Sequence, residues 1–241
     1  MAITLVQYKR GYSLANLSSF CMKAEILLKL AGLDYEIEEL GDPTKGPKAK
    51  LPFIRDNGKD IADSTFIEAH LEEAYGAQFY GDLSDAQKAY GHALARMCEE
   101  RLYWVMVYGR WIEDAVWPQM SEFWFAELPP VLRSLIPVIA RREVRKNLKA
   151  HGIGRHTRAE IYALGEKDVH ALAHALGDSP FYFGESPTAF DAAIYPVVEN
   201  VLLEALATPL LPVAQGHQNL KDYAARCRAF WFADLEEGAS A

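Results

Sequence analysis

The alternation of apolar and polar positions divides the chain in two. Residues 3–8 (Ile3, Thr4, Leu5, Val6, Gln7, Tyr8) are β-rich and predict a first strand. After a loop containing Gly11, the residues Phe20, Ala24, Leu27, Leu28 and Ala31 recur at helical spacing, and Gly32 supplies a C-terminal stop. Residues 35–40 alternate at period two and predict a second strand. Pro52 cannot donate a ladder hydrogen bond, so it opens a third strand or lies at an edge. Asn57-Gly58 between two apolar runs predicts a tight hairpin, because both residues tolerate positive φ. Phe66, Ile67, Ala69, His70 and Leu71 then return to helical spacing behind Asp63-Ser64. Strand, helix, strand, loop, hairpin, helix is the thioredoxin-like order.

Beyond Tyr80-Gly81-Asp82 no further strand is predicted and helix-period stretches dominate. Ser84-Asp85 can cap a helix running toward Glu113, with Leu94, Met97, Cys98, Leu102, Val105 and Met106 on its buried side. Residues 103–125 are dense in aromatics, and Pro129-Pro130 and Pro137 punctuate the middle. A helix over 157–177 closes at Gly177, Thr188 and Asp191 form an N-capping arrangement for the next, and a last helix covers about 217–230. The tail Glu236–Ala241 is expected to be loose. The expected organisation is a thioredoxin-like α/β domain over 1–78 and an all-helical domain over 84–235.

Composition adds exclusions. Of 241 residues, 50% are hydrophobic and 24% charged, an ordinary globular mixture. The net charge of −8 gives no support to nucleic-acid binding or to general binding of acidic membranes. Cys21, Cys98 and Cys227 are odd in number and far apart, with neither disulfide nor metal spacing, which points to a reducing compartment. His170 and His174 stand at i, i+4 but read as helix-surface residues without further ligands, so no metal is expected. The apolar runs are too short to span a bilayer, and Met1–Val6 leads into a polar segment rather than a signal sequence, so the cytoplasm is expected.

Candidate chemistry gathers at two predicted helix starts. Ser18-Ser19-Phe20-Cys21 has the spacing of a Cys-x-x-Cys motif with serine first, so it cannot close a local disulfide. Asp63-Ser64 puts a carboxylate and a hydroxyl at the start of the second helix, where backbone N–H groups attract an anion; the plainer reading is a helix cap. Ser18 is equally a candidate cap.

These residues resemble the glutathione transferases. In that family a cis-proline follows the residue whose backbone grips the cysteinyl part of glutathione, and an acidic-Ser pair holds its γ-glutamyl end; Leu51, Pro52, Asp63 and Ser64 match that pattern, with Asp63 in place of the usual Glu or Gln. The resemblance implies a cis Leu51–Pro52 bond, whereas sequence alone favours trans. In Ser-type members the position of Ser18 hydrogen-bonds the glutathione sulfur, and a hydroxyl donor with the helix start favours the thiolate. Cys21 and Tyr8 are rivals for that role; Tyr8 stands where Tyr-type members carry their hydroxyl and also counts as a substrate contact. The resemblance narrows to the failed-axon-connections and metaxin-like branch through residues 16–23 and 51–64, although Ser19 stands where that branch commonly has proline. It implies conjugation of glutathione, a co-substrate, to a small hydrophobic electrophile held by Tyr103, Trp104, Tyr108 and Trp111; those aromatics otherwise read as core. It also implies a homodimer and a role in detoxification. Several members of the branch have no clear enzymatic role, so a non-catalytic binding or scaffold protein is the alternative. Arg141, Arg142, Arg145, Lys146 and Lys149 form a basic run that reads as a solvated helix face.

Overall fold

The structure is a computed structural model and describes residues 2–233 and 235; the tail expected to be loose, 236–241, lies outside the described residues. Strand β1 (Ile3–Gln7) leads through helix α1 (Ser19–Leu30) to β2 (Tyr35–Glu39), which pairs parallel with β1 as a crossover connection requires. Strands β3 (Phe53–Asp56) and β4 (Lys59–Ala62) form the expected hairpin, with Asn57 at φ 49° and Gly58 at φ 78° in its turn. β3 pairs antiparallel with β1, giving the sheet order β2-β1-β3-β4. The hairpin delivers the chain to α2 (Ser64–Tyr75), and Gly76, at φ 68°, ends that helix in the left-handed conformation.

The central strands are buried on both faces: consecutive residues Leu5 and Val6 of β1, and Phe53 and Ile54 of β3, are all within 1% of full burial. Helix α1 is buried nearly all round from Cys21 to Leu28, including Glu25. That carboxylate survives burial because it is partnered: Arg10 Nη2 donates to it at 2.7 Å, Tyr35 Oη at 2.9 Å and Gln7 Nε2 at 3.3 Å. Asp56 at the end of β3 is another buried carboxylate, meeting His70 Nε2 at 2.7 Å, Tyr75 Oη at 2.8 Å and Asn57 Nδ2 at 3.0 Å. Burial alone would raise its pKa, but the hydrogen bonds from His70 and Tyr75 outweigh it and hold the carboxyl below its ordinary value.

The remaining elements are helical. The helix expected from Ser84 toward Glu113 is α3 (Asp85–Met97), a π turn over Cys98–Leu102, and α4 (Tyr103–Trp111). Then come α5 (Trp117–Phe125), α6 (Pro130–His151), α7 (Arg158–Leu176), α8 (Ala189–Val201), α9 (Leu210–Gln215) and α10 (Gln218–Phe232). The prolines expected to break the middle are absorbed: Pro130 opens α6, and Pro137 sits buried inside it. Thr157 and Glu160 form a reciprocal capping box for α7, and Gly177 closes it at φ 57°. Within the π turn, Arg101 forms a two-pronged ion pair with the fully buried Asp168.

By its contacts the chain resolves into two compact units, Met1–Ala95 with Asp178–Pro196 and Asp222–Ala241, and Arg96–Gly177 with Val197–Lys221. The first holds the sheet and the starts of α1, α2 and α8. The second holds the π turn and helices α4 to α7.

Candidate functional site

The loop between β1 and α1 is organised by a residue that the sequence did not single out. Asn16 is fully buried; its Nδ2 donates to the Tyr8 carbonyl at 2.7 Å and its Oδ1 accepts the Ser18 N–H at 2.9 Å. Arg10 adds a second tie through Nη1 to the Ala15 carbonyl at 3.2 Å. These contacts fix the backbone just before α1, so that Ser18, in extended conformation, caps the helix through Oγ accepting the Cys21 N–H at 3.3 Å. The Ser18 side chain is half-buried at the positive end of α1, and besides accepting that bond its hydroxyl lies within hydrogen-bonding reach of the Cys21 sulfur. Ser19 differs: it is buried and donates to the Pro196 carbonyl at 3.4 Å. Asn16 opens the 16–23 stretch that carries the resemblance, but a loop asparagine has no periodicity to give its side chain a role.

Cys21 occupies the next turn with no exposure. Burial pushes its thiol up to about 12, against the hydrogen bonds from Ser18 and the Tyr8 backbone that pull it down. A thiol so placed stays protonated at neutral pH and is closed to solvent. It is a packing residue of a cluster with Val6, Leu51, Phe53 and Ala62, against which Tyr8 also packs. That cluster brings β1, α1, the residue before Pro52 and the end of β4 to one place. The Leu51–Pro52 peptide bond is cis, as the resemblance implies.

Asp63 and Ser64 follow Ala62 directly. Asp63 lies at φ 83°, ψ 127°, a backbone region that non-glycine residues rarely occupy. Its Oδ1 accepts the Thr65 N–H at 3.0 Å, so the residue is the N-cap of α2, while the side chain remains exposed. Ser64, beside it, is buried. The arrangement presents a carboxylate, a hydroxyl and a helix start within two residues, held in a strained turn.

In the helical half, Tyr103, Trp104, Tyr108 and Trp111 are half-buried and engage different neighbours. Trp104 stacks on His151 at 4.7 Å and meets Tyr103 edge-on at 5.6 Å; Tyr108 meets Tyr162 at 6.0 Å; Trp111 packs on Trp117 at 5.4 Å and on Phe125 at 6.5 Å. The His170–His174 pair is joined by His217, whose Nε2 is 2.7 Å from His170 Nδ1. Among the described residues, no group of three His, Cys, Asp or Glu side chains is arranged to hold a metal ion.

The fold has counterparts. A family model described as glutathione S-transferase N-terminal domain matches residues 19–116, and one described as glutathione S-transferase, C-terminal domain matches 165–227. The chain belongs to the glutathione S-transferase superfamily. Within it, the chain is similar to the failed axon connections protein of Drosophila melanogaster, with 31% identity over 98% of this chain and 59% of that protein. It is also similar to human metaxin-1, with 25% identity over 92% of this chain and 49% of that protein. The chain thus spans about half the length of these two relatives. The isoprene-epoxide–glutathione S-transferase of Rhodococcus sp. (strain AD45) is 28% identical over 94% of this chain and 98% of its own. A solved glutathione S-transferase of Methylobacterium radiotolerans, in complex with glutathione sulfonate, superposes with a TM-score of 0.64 at 19% identity, covering 98% and 94% of the two chains.

Proposed function

We propose that the protein binds glutathione at the paired starts of α1 and α2 and transfers its thiolate to a hydrophobic electrophile. The observation that carries this reading is Ser18: a half-buried hydroxyl at the positive end of α1, its backbone N–H pinned by the buried Asn16. Donation of the Ser18 O–H to the glutathione sulfur, together with the helix dipole, favours thiolate over thiol. The thiol proton leaves to solvent. The sulfur lone pair forms the C–S bond as the electrophile's carbon–leaving-group bond breaks, the departing atom taking the electron pair. An epoxide, the substrate class named for the Rhodococcus relative, fits that step because its ring oxygen is the leaving atom. The backbone of Leu51 beside Pro52 holds the cysteinyl part, and Asp63 with Ser64 anchors the γ-glutamyl end. Cys21, protonated and buried, has no part in the chemistry, and Tyr8 contributes its ring to the floor of the site. A cytoplasmic homodimer acting in detoxification is the setting in which we place this activity.

The test is calorimetric titration of glutathione into the wild type and into Asp63→Ala. Binding weakened tenfold or more by the substitution, about 1.4 kcal/mol, is the expected result. No binding to the wild type at millimolar glutathione would overturn the reading. It would favour a scaffold that uses the fold for contacts with other molecules, a reading supported by the similarity to failed axon connections and metaxin-1.

A further inference from the structure

We propose that the solvent face of α6 docks the protein onto the surface of an anionic phospholipid bilayer. The inference is independent of the glutathione reading. Val131, Leu135, Val138, Arg142, Arg145 and Lys149 follow one another at steps of four, three, four, three and four residues, which places them in a single stripe along the helix. Leu132, Ile139 and Lys146, seven residues apart, run beside it. The opposite side of the helix is the packed one, with Pro137 and Leu148 buried and Val144 half-buried. The stripe therefore faces outward along its whole length. Its N-terminal half is aliphatic and exposed: Val131 by 77%, Val138 by 64%, Leu135 by 53%, Ile139 by 52% and Leu132 by 42%. Its C-terminal half is cationic and exposed. Lys146 is paired with Glu143 at 3.2 Å, while Arg142, Arg145 and Lys149 form no ion pair among the described residues.

Five contiguous exposed aliphatic side chains are unusual on a soluble protein, and four cations next to them run against a chain whose net charge is −8. The two halves ask for two chemistries on one surface: hydrocarbon for the first, fixed negative charge for the second. A bilayer bearing anionic headgroups supplies both side by side, the aliphatic residues entering the boundary of headgroups and acyl chains while the cations meet phosphates and carboxylates. A second copy of the chain meets only the first need, since α6 paired antiparallel about Leu135 covers its aliphatic half and leaves the basic halves splayed outward. Of the residues in which protein–protein interfaces are enriched the patch carries arginine alone, with no Trp, Tyr, Phe or Met. Among the described residues no helix is long and apolar enough to cross a membrane, so α6 would lie on the bilayer rather than in it.

Vesicle co-sedimentation of the purified full chain tests this. Expected is binding to vesicles in which phosphatidylserine replaces a third of the phosphatidylcholine, at least tenfold tighter than to phosphatidylcholine alone, and loss of most of it in molar salt, which shortens the screening length to about 3 Å. Leu135→Glu with Val138→Glu abolishes binding, and Arg142→Glu with Lys149→Glu abolishes the preference for phosphatidylserine. Both pairs are exposed, and an unchanged melting temperature verifies their folds. Should the apolar pair fail to fold, the charge pair and the salt dependence still decide. Failure to bind vesicles, or binding that neither pair affects, overturns the proposal. A lipid-free dimer that Leu135→Glu with Val138→Glu dissociates, without vesicle binding, overturns it in favour of self-association.

Discussion

The starts of α2 and α8 each use an aspartate, as the N-cap itself at α2 and as the third residue reaching back to the Thr188 cap at α8, and the two could hardly be used more differently. At α8, Asp191 is fully buried and both its oxygens are occupied: Oδ2 accepts from the Thr188 N–H at 2.8 Å and the Thr188 hydroxyl at 3.1 Å, Oδ1 from the Tyr182 N–H at 3.1 Å and Tyr223 Oη at 3.2 Å. Thr188 Oγ1 in turn accepts the Phe190 N–H at 3.2 Å. At α2, Asp63 is exposed, accepts one backbone N–H, and holds a backbone conformation that costs on the order of 1–3 kcal/mol. One cap is closed and serves the fold. The other is open, strained and stands beside the cluster that contains Leu51 and Tyr8. Local sequence, Thr-x-x-Asp against Asp-Ser, fits capping in both cases; the difference lies in how many of the carboxylate's acceptor sites the fold itself consumes.

Substitutions break that comparison on opposite sides. Asp191→Ala removes the acceptor of four hydrogen bonds in the interior and is expected to cost about 3 kcal/mol of stability, seen as a lowered denaturant midpoint, with unchanged glutathione affinity in the folded fraction. Ser18→Ala, at the capped start of α1, is expected to lower kcat/KM about ten- to a hundredfold but stability by only about 1 kcal/mol. Its turnover should keep rising with pH where that of the wild type has levelled off, since the unassisted thiol must ionise by itself; equal pH profiles would remove Ser18 from the mechanism. Asp63→Ala sits beside it, with the tenfold loss of glutathione affinity given above and a loss of stability of about 1 kcal/mol, since the cap bond is lost and alanine keeps the Cβ that makes φ 83° costly.

Asp56 sharpens the contrast with the smallest effect. It is buried and fully partnered like Asp191, yet its pKa is lowered by the hydrogen bonds from His70 and Tyr75, which outweigh its desolvation. A carboxyl with a folded pKa below its unfolded value contributes stability that is complete above the unfolded value and is lost as pH falls through the folded one. Acid titration of stability below about pH 4 should therefore be shallower in Asp56→Asn than in the wild type. A parallel decline in both would show that these hydrogen bonds do not bear on the acid limb.

Much of the sheet half was legible because its signals are local. Pro52, Asn57-Gly58 and Gly32 each act through their own φ or missing N–H, and the strands and hairpin lie where those residues put them. The helical half was legible where caps are local, at Gly177 and at Thr188 with Asp191, and less so elsewhere. Pro130 and Pro137 read as interruptions, yet a proline at the first position of a helix loses nothing, and Pro137 gives up one bond within a helix of 22 residues. The π turn at Cys98–Leu102 left no mark on the apolar periodicity of the expected helix; its partner Asp168 is 67 residues from Arg101, and no local pattern carries that distance. The candidate site divides in the same way. Ser18, Leu51, Pro52, Asp63 and Ser64 could be named from motifs and the Asn16–Ser18 bond is a local turn, but the burial that disarms Cys21 and the bond from Asn16 to the Tyr8 carbonyl depend on how the chain folds back.

The sheet order has one more consequence. β2 is an edge strand, and from Glu36 to Glu39 every side chain is exposed, three of the four being glutamates. An edge offers unpaired backbone groups to any passing extended chain. A second copy of the protein that set its own β2 against this one would bring glutamates within about 5 Å of glutamates, where like charges directly opposed repel; among the described residues Glu38 alone of the three has its charge met, by Arg55 at 2.6 Å. The strand that closes the β1–α1–β2 crossover thus also resists pairing with its own copy edge to edge.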